Sequence, residues 1–284
     1  MKNQAIKYFD EQFEILHPNN KVICKLIGGS TLYGLNNKNS DIDVRGVYSL
    51  GSPSEILGLS LYENRGYESF VMNTDEVDAS LHELRQFINL LSKTNTQALD
   101  VISAPVELYI GEVHPIINVI RDNFQSLIST EKLYHSMRGY IFNEIRLMLG
   151  ERTGQLGGKR KQALIDYGYS YKNLVQVLRL SFAAETFFKT GVYPVRIKDF
   201  SEDLHAELMY IKENPDEFGF DYAKARSESL IDNLEVHYNE RTVNYEVDPT
   251  LANAIISEYY TNELLELNNP RRFKRIFDSD QDFN

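Results

Sequence analysis

A single cysteine, Cys24, in 284 residues excludes a disulfide framework and any zinc site built from thiolates. It lies in an apolar stretch and reads as a small buried hydrophobe. Long apolar runs are missing too, and nothing approaches the roughly 18 residues of a membrane span. The N-terminus, Met1-Lys2-Asn3-Gln4, leads into an amphipathic pattern and not into the apolar core of a signal peptide. Internal repeats and low-complexity linkers are absent, and His82, His114, His135, His205 and His237 lack metal-ligand spacing. There is no excess of positive charge: the net charge of −11 argues against a strongly basic nucleic-acid binder. Together these absences predict a protein without a membrane contact, in a reducing, cytoplasmic setting.

With 42% hydrophobic and 25% charged residues, the composition is that of an ordinary globular protein long enough to bury a substantial core. The 18 Tyr and 15 Phe are not patterned as an RNA-binding signature and read as packing residues. The acidic average hides a basic middle. Between Glu131 and Lys198 there are twelve Lys/Arg against five Asp/Glu, which suggests a local anionic ligand or a chance cluster on solvated faces.

Periodicity predicts a helix over 6–16, a strand over 22–27 and a brief helical turn at 31–34. A second strand is expected over 41–50, weaker strands over 67–72 and 77–81, and a helix carrying Leu84, Phe87, Ile88 and Leu91. Beyond residue 112 the pattern is helical: 116–128, 134–149, 161–188 with a break at Tyr167-Gly168-Tyr169, 203–212, 220–237 and 249–267. The expected fold class is α+β, a small mixed β-sheet with flanking helices over 1–112 followed by a helical domain over 113–284.

The informative segment is Gly28-Gly29-Ser30, followed after ten residues by Asp41-Ile42-Asp43-Val44-Arg45-Gly46-Val47. A strand ending in glycines permits close approach of a ligand to the backbone, and a hydroxyl with free N–H groups at a helix start suits phosphate. On a strand, Asp41 and Asp43 project from one face, where like charges repel unless a cation sits between them. Mg²⁺, or Mn²⁺ in its place, is the expected cation, held by one or two carboxylates and substrate phosphates. Arg45 shares that face and either holds the triphosphate or neutralises an aspartate. Ile42, Val44 and Val47 anchor the opposite side.

At these residues the chain resembles the DNA polymerase β nucleotidyltransferase superfamily, whose signature is Gly-Ser or Gly-Gly, a spacer of this length, then Asp-X-Asp. It is most similar to a bacterial and phage branch of predicted nucleotidyltransferases. That likeness is carried by Gly29-Ser30, Tyr33-Gly34, Ser40-Asp41, Asp43 and Arg45-Gly46-Val47, then by Leu84-Arg85-Gln86-Phe87, the 167–173 block, Arg179-Leu180, Glu185 and Gly191-Val192-Tyr193-Pro194. It spans roughly 25–195. The chain departs at Ser170, Asn173 and Gln176, where the branch usually has Asp, His and His. Lys172 and Arg179 remain, seven apart on one helix face, as cations for a triphosphate.

The resemblance implies a third carboxylate on a later strand. Asp78 is the choice and Glu76 the reserve; the structural alternative is that Asp78 caps the next helix. It also implies transfer of a nucleotide from a nucleoside triphosphate to a hydroxyl acceptor, with release of pyrophosphate. Asp41, Asp43 and Asp78 would bind metal, while Gly28, Gly29, Ser30, Arg45, Lys172 and Arg179 would bind nucleotide. An RNA 3′ end is the favoured acceptor, with protein hydroxyls and small alcohols as alternatives. A nucleotide- or RNA-binding module without turnover is the non-enzymatic reading, and a helical interaction protein with an incidental acidic pair the third. The basic stretches 157–161 and 271–275 read as phosphate contacts or as a solvated loop and a frayed end.

Overall fold

The computed structural model describes residues 2–37, 40–58, 69–74, 77–152 and 158–267. Glu76, Gly157 and the 271–275 stretch lie outside them. Four strands form one mixed sheet: β1 (Lys21–Ile27), β2 (Asp43–Ser49), β3 (Phe70–Asn73) and β4 (Asp78–Glu83), in the order β1-β2-β4-β3. β1 runs antiparallel to β2, β2 parallel to β4, and β3 antiparallel to β4. The two central strands supply its buried apolar positions, Val44 and Val47 from β2 and Ala79 and Leu81 from β4.

The first helix, Lys2–Leu16, buries Phe9 and Phe13 against Phe70 of the sheet. Helix Leu84–Ser92 follows β4 directly, and its cap is Glu83, whose side chain accepts from the amides of Arg85 and Gln86. The capping alternative for Asp78 therefore falls away, since a residue five places later does that work.

Several expected elements divide. The 116–128 pattern is two helices, Ile116–Asp122 and Phe124–Leu127, and 220–237 is Phe220–Glu228 followed by Leu230–Asn239. The 161–188 pattern breaks where expected: Gly158–Tyr167 ends, Gly168 takes a left-handed φ of +75°, and Tyr171–Thr190 begins. Helix Thr96–Ile102, capped by the Asn95 side chain, has too few residues for its period to show in the sequence.

The last described helix, Pro249–Leu267, returns to the sheet. Tyr259 donates to Ser49 Oγ at 2.9 Å, Lys21 pairs with Glu263 at 2.5 Å, and the Tyr260 hydroxyl donates to the buried Glu83 carboxylate. The same Tyr260 oxygen accepts from the Leu50 amide at 3.3 Å. Buried polar groups need such partners, and losing one costs about 1–3 kcal/mol. Tyr260→Phe should therefore destabilise the protein by about 1–3 kcal/mol in urea unfolding; an unchanged midpoint would show that this tie contributes nothing.

Candidate active site

The site opens at the end of the sheet where β2 and β4 begin. The parallel register sets Asp43 opposite Asp78, and the amide of Asp78 donates to the carbonyl of Ile42 at 3.0 Å. Alongside, the amide of Gly28 donates to the carbonyl of Asp43 at 2.8 Å, tying the end of β1 to the start of β2. The chain then turns into the short helix Gly29–Leu32. Gly29 has φ +58°, and a Cβ there would stand 2.0 Å from Asp43 Oδ2. The turn and the acidic strand are thus in direct contact, and only glycine fits between them.

Asp41 differs from expectation in one respect: it precedes the strand. Just before it Ser40 N donates to Asn37 O at 3.1 Å, and the ladder opens only at Asp43. Alternation along a strand therefore relates Asp43 to Arg45 but not to Asp41. Arg45 Nη2 lies 3.4 Å from Asp43 Oδ1, so its charge is partly spent on that carboxylate. Asp41 is exposed and reaches across the chain to Lys159, whose Nζ donates to both its oxygens at 2.6 and 2.8 Å.

Electrostatics follow from this crowding. Burial pushes the Asp43 carboxyl above the ordinary aspartate value; Arg45 pulls it back, while Asp78 and Asp41 push it further up. On the opposite wall, burial and then the neighbouring Lys159 hold Lys172 below the usual lysine value. Lys212 is lowered in the same way, by burial and then by Lys172. Carboxylates and lysines thus share the site, joined by the bond from Lys159 to Asp41.

These walls enclose a cleft of about 1120 Å³, lined among others by Gly29, Ser30, Asp41, Asp43, Arg45, Asp78, Lys159, Lys172, Arg179 and Lys212. Gly28 is buried behind it, with Arg45 packed against it. Lys212 and Asp100 also line the cleft, and sequence reasoning did not find them. Lys212 belongs to a helix with no motif, and Asp100 to the short helix that periodicity missed; the Asn95 cap was the available signal.

Arg179 is 1% exposed, so it is not a free surface cation. Its guanidinium lies 3.7 Å from the centre of the Tyr33 ring, and its Nε donates to Gln176 Oε1 at 3.3 Å. The three positions that depart from the branch pattern are structurally engaged. Ser170 Oγ donates to Asn173 Oδ1 at 2.5 Å, and Asn173 Nδ2 to the buried Glu144 at 2.7 Å. Gln176 Nε2 donates to the Tyr140 hydroxyl at 3.1 Å.

Among the described residues no three His, Cys, Asp or Glu side chains are arranged to hold a metal by themselves. Oxygen donors at Asp41, Asp43 and Asp78 nevertheless suit a hard cation that takes its remaining ligands from phosphate and water. The chain is a nucleotidyltransferase of the polymerase β superfamily, whose members generally use divalent metals. It belongs to RlaP, the RNA repair pathway DNA polymerase beta family, whose model matches residues 2–259. No curated protein matches the sequence. Among solved structures, the nucleotidyltransferase-like protein from Exiguobacterium sibiricum 255-15 is similar at 13% identity. The match covers 84% of this chain and 74% of that one with a TM-score of 0.29, too slight a likeness to bear on the fold. Among the described residues no helix is long and apolar enough to cross a membrane.

A stability prediction follows from Asp43. Its carboxyl lies above the unfolded-state value, so ionised Asp43 costs stability at neutral pH, and the cost fades as falling pH protonates it in the fold. Asp43→Asn should therefore be more stable than the wild-type chain at pH 7, with the advantage shrinking toward about pH 4. Urea midpoints at both pH values measure this, and a variant less stable at pH 7 would refute it.

Proposed function

We propose that the chain transfers a nucleoside monophosphate from a nucleoside triphosphate to the 3′ hydroxyl of an RNA, releasing pyrophosphate. The observation that carries this reading is the closeness of the Gly29 turn to the Asp43 carboxylate, with Asp78 in register beside it. Support for RNA comes from the family description, RNA repair pathway, and from the cations Lys159, Arg160, Lys172 and Lys212 along one cleft.

In this reading Asp41 and Asp43 hold Mg²⁺, which when bound neutralises charge on the triphosphate and on the departing pyrophosphate. Gly29 and Ser30 grip the distal phosphates, and Gly28 keeps the turn close to Asp43. Arg45 shares its charge between Asp43 and the triphosphate. Asp78, in register with Asp43, draws the proton from the attacking hydroxyl and helps to bind metal. Lys159 exchanges its bond to Asp41 for a phosphate when nucleotide arrives, joining Lys172. Arg179, already buried, positions Tyr33 beneath the cleft and contributes positive potential.

The test supplies each labelled triphosphate with Mg²⁺ and an RNA bearing a free or a blocked 3′ end, and follows incorporation and pyrophosphate release. Wild type should label only the free end. Asp41→Asn and Asp43→Asn should each lose at least about a hundredfold, in the range seen when one electrostatic stabiliser is removed, and Lys159→Ala about tenfold. Equal activity in wild type and the aspartate variants would eliminate this site. Label entering protein or small molecules of a cell extract, with RNA left unlabelled, would replace the RNA acceptor with those classes.

A further inference from the structure

The glycine turn that the proposed function sets against phosphate is too short to hold itself in place. Its helix, Gly29–Leu32, is a single turn, and a single turn fixes many dihedrals for few hydrogen bonds. The end of such a turn also leaves carbonyls without a partner inside the helix. Three successive carbonyls, those of Tyr33, Gly34 and Leu35, each receive a donor from one distant segment. Ile197 N donates to Tyr33 O at 3.2 Å, and His205 Nε2 donates to Gly34 O at 2.9 Å. Lys212 Nζ donates to Leu35 O.

Both ends of these bonds are fixed. The 3-10 turn Ile197–Asp199 leads into helix Glu202–Glu213, whose cap Ser201 accepts from Leu204 N at 3.2 Å. Ile197, Leu208 and Ile211 are buried and anchor this segment, while His205 and Lys212, seven apart, share one helix face. On the other side, the amides of the three held residues return to the turn. Tyr33 N donates to Gly29 O at 3.4 Å, Gly34 N to Thr31 O at 3.2 Å and Leu35 N to Ser30 O at 2.8 Å. A carbonyl only accepts, so Nε2 of His205 carries the hydrogen whatever the charge of the ring.

We propose that His205 is a positioning residue for the triphosphate: through the carbonyl of Gly34 it fixes the place from which Gly29 and Ser30 meet the distal phosphates. Lys212 does the same at Leu35, and because it also lines the cleft it adds its charge there. His205 is not one of the lining residues, so it acts on phosphate only through the turn. Such support matters because a misplacement of about 1 Å far from the chemistry costs about a hundredfold in rate. This inference rests on the reading that Gly29 and Ser30 take the distal phosphates.

The experiment compares wild type with two variants. His205→Phe keeps the bulk of the ring and removes its N–H, while His205→Gln keeps an N–H donor at a similar reach. Calorimetry in Mg²⁺ gives the affinity for inorganic tripolyphosphate, and steady-state kinetics gives KM for the triphosphate and for the acceptor that becomes labelled. His205→Phe should weaken tripolyphosphate binding and raise the triphosphate KM by about tenfold each, the scale of losing one supporting residue behind a site. The acceptor KM should stay within about twofold. His205→Gln should recover most of the loss, whereas a residue needed only for packing would give the opposite order. Should His205→Phe fail to fold, His205→Leu decides on the same readouts. Unchanged tripolyphosphate affinity in the folded variant would overturn the inference. So would an equal rise in both KM values, the mark of a generally distorted cleft, or a Gln variant no better than the Phe variant. Wild type that neither binds tripolyphosphate nor labels any acceptor would sink the reading of the site, and this inference with it.

Discussion

The parallel pairing of β2 with β4 brings Asp43 and Asp78 to the same level at one end of the sheet, with Asp41 just before them. Carboxylates gathered this closely, one of them largely buried, raise the free energy of the fold at neutral pH unless positive charge is supplied. The surroundings of the site answer that demand. Arg45 leans back onto Asp43 and Lys159 reaches from a helix 118 positions away to hold Asp41. Neither contact saturates the cluster: the bond from Arg45 is long, and the pair with Lys159 is exposed and weak in water. In the proposed function, a site short of positive charge with lysines beside it receives a cation and an anion together.

Holding that arrangement requires rigid supports, and they come from buried polar ties between elements far apart in sequence. Glu83 caps its helix and accepts from Tyr260, which pins the last described helix to the sheet. Ser170, Asn173 and Glu144 form a buried chain that locks the start of helix Tyr171–Thr190, and Arg160 stands 3.6 Å from the same Glu144 oxygen. Lys159 and Lys172 are therefore carried by helices whose ends are fixed through one carboxylate. The departures at positions 170, 173 and 176 have gone into structure and into the support of Arg179.

Much of this was readable in the sequence, and the reason is local. The glycine-serine turn, the acidic alternation and the apolar run before them each state their geometry within a few residues, so the facing of residues 28–30 and 43 was expected. The strand boundary after Asp41 was not, because the alternation runs unbroken through it and only pairing with β1 and β4 sets where the ladder opens. Helix Thr96–Ile102 was too short for its period to show, and with it Asp100 was missed. Arg179 was recognised as a cation on the right helix face, but its burial under Tyr33 depends on a contact between residues 146 positions apart. The return of helix Pro249–Leu267 to the sheet is likewise long-range, set by Tyr259, Tyr260 and Glu263 against partners that no periodicity could name.

The 28–30 turn touches the acidic strand, so a metal-bound triphosphate has to lie in the cleft that both of them line. A crystal grown with Mn²⁺ and a non-hydrolysable triphosphate, phased for anomalous signal, examines that cleft directly. The expected result is a manganese peak bound by Asp41 and Asp43, with the distal phosphates against Gly29 and Ser30 and Lys159 moved away from Asp41. Nucleotide density elsewhere, or aspartates without manganese while Lys159 keeps its pair, would contradict it.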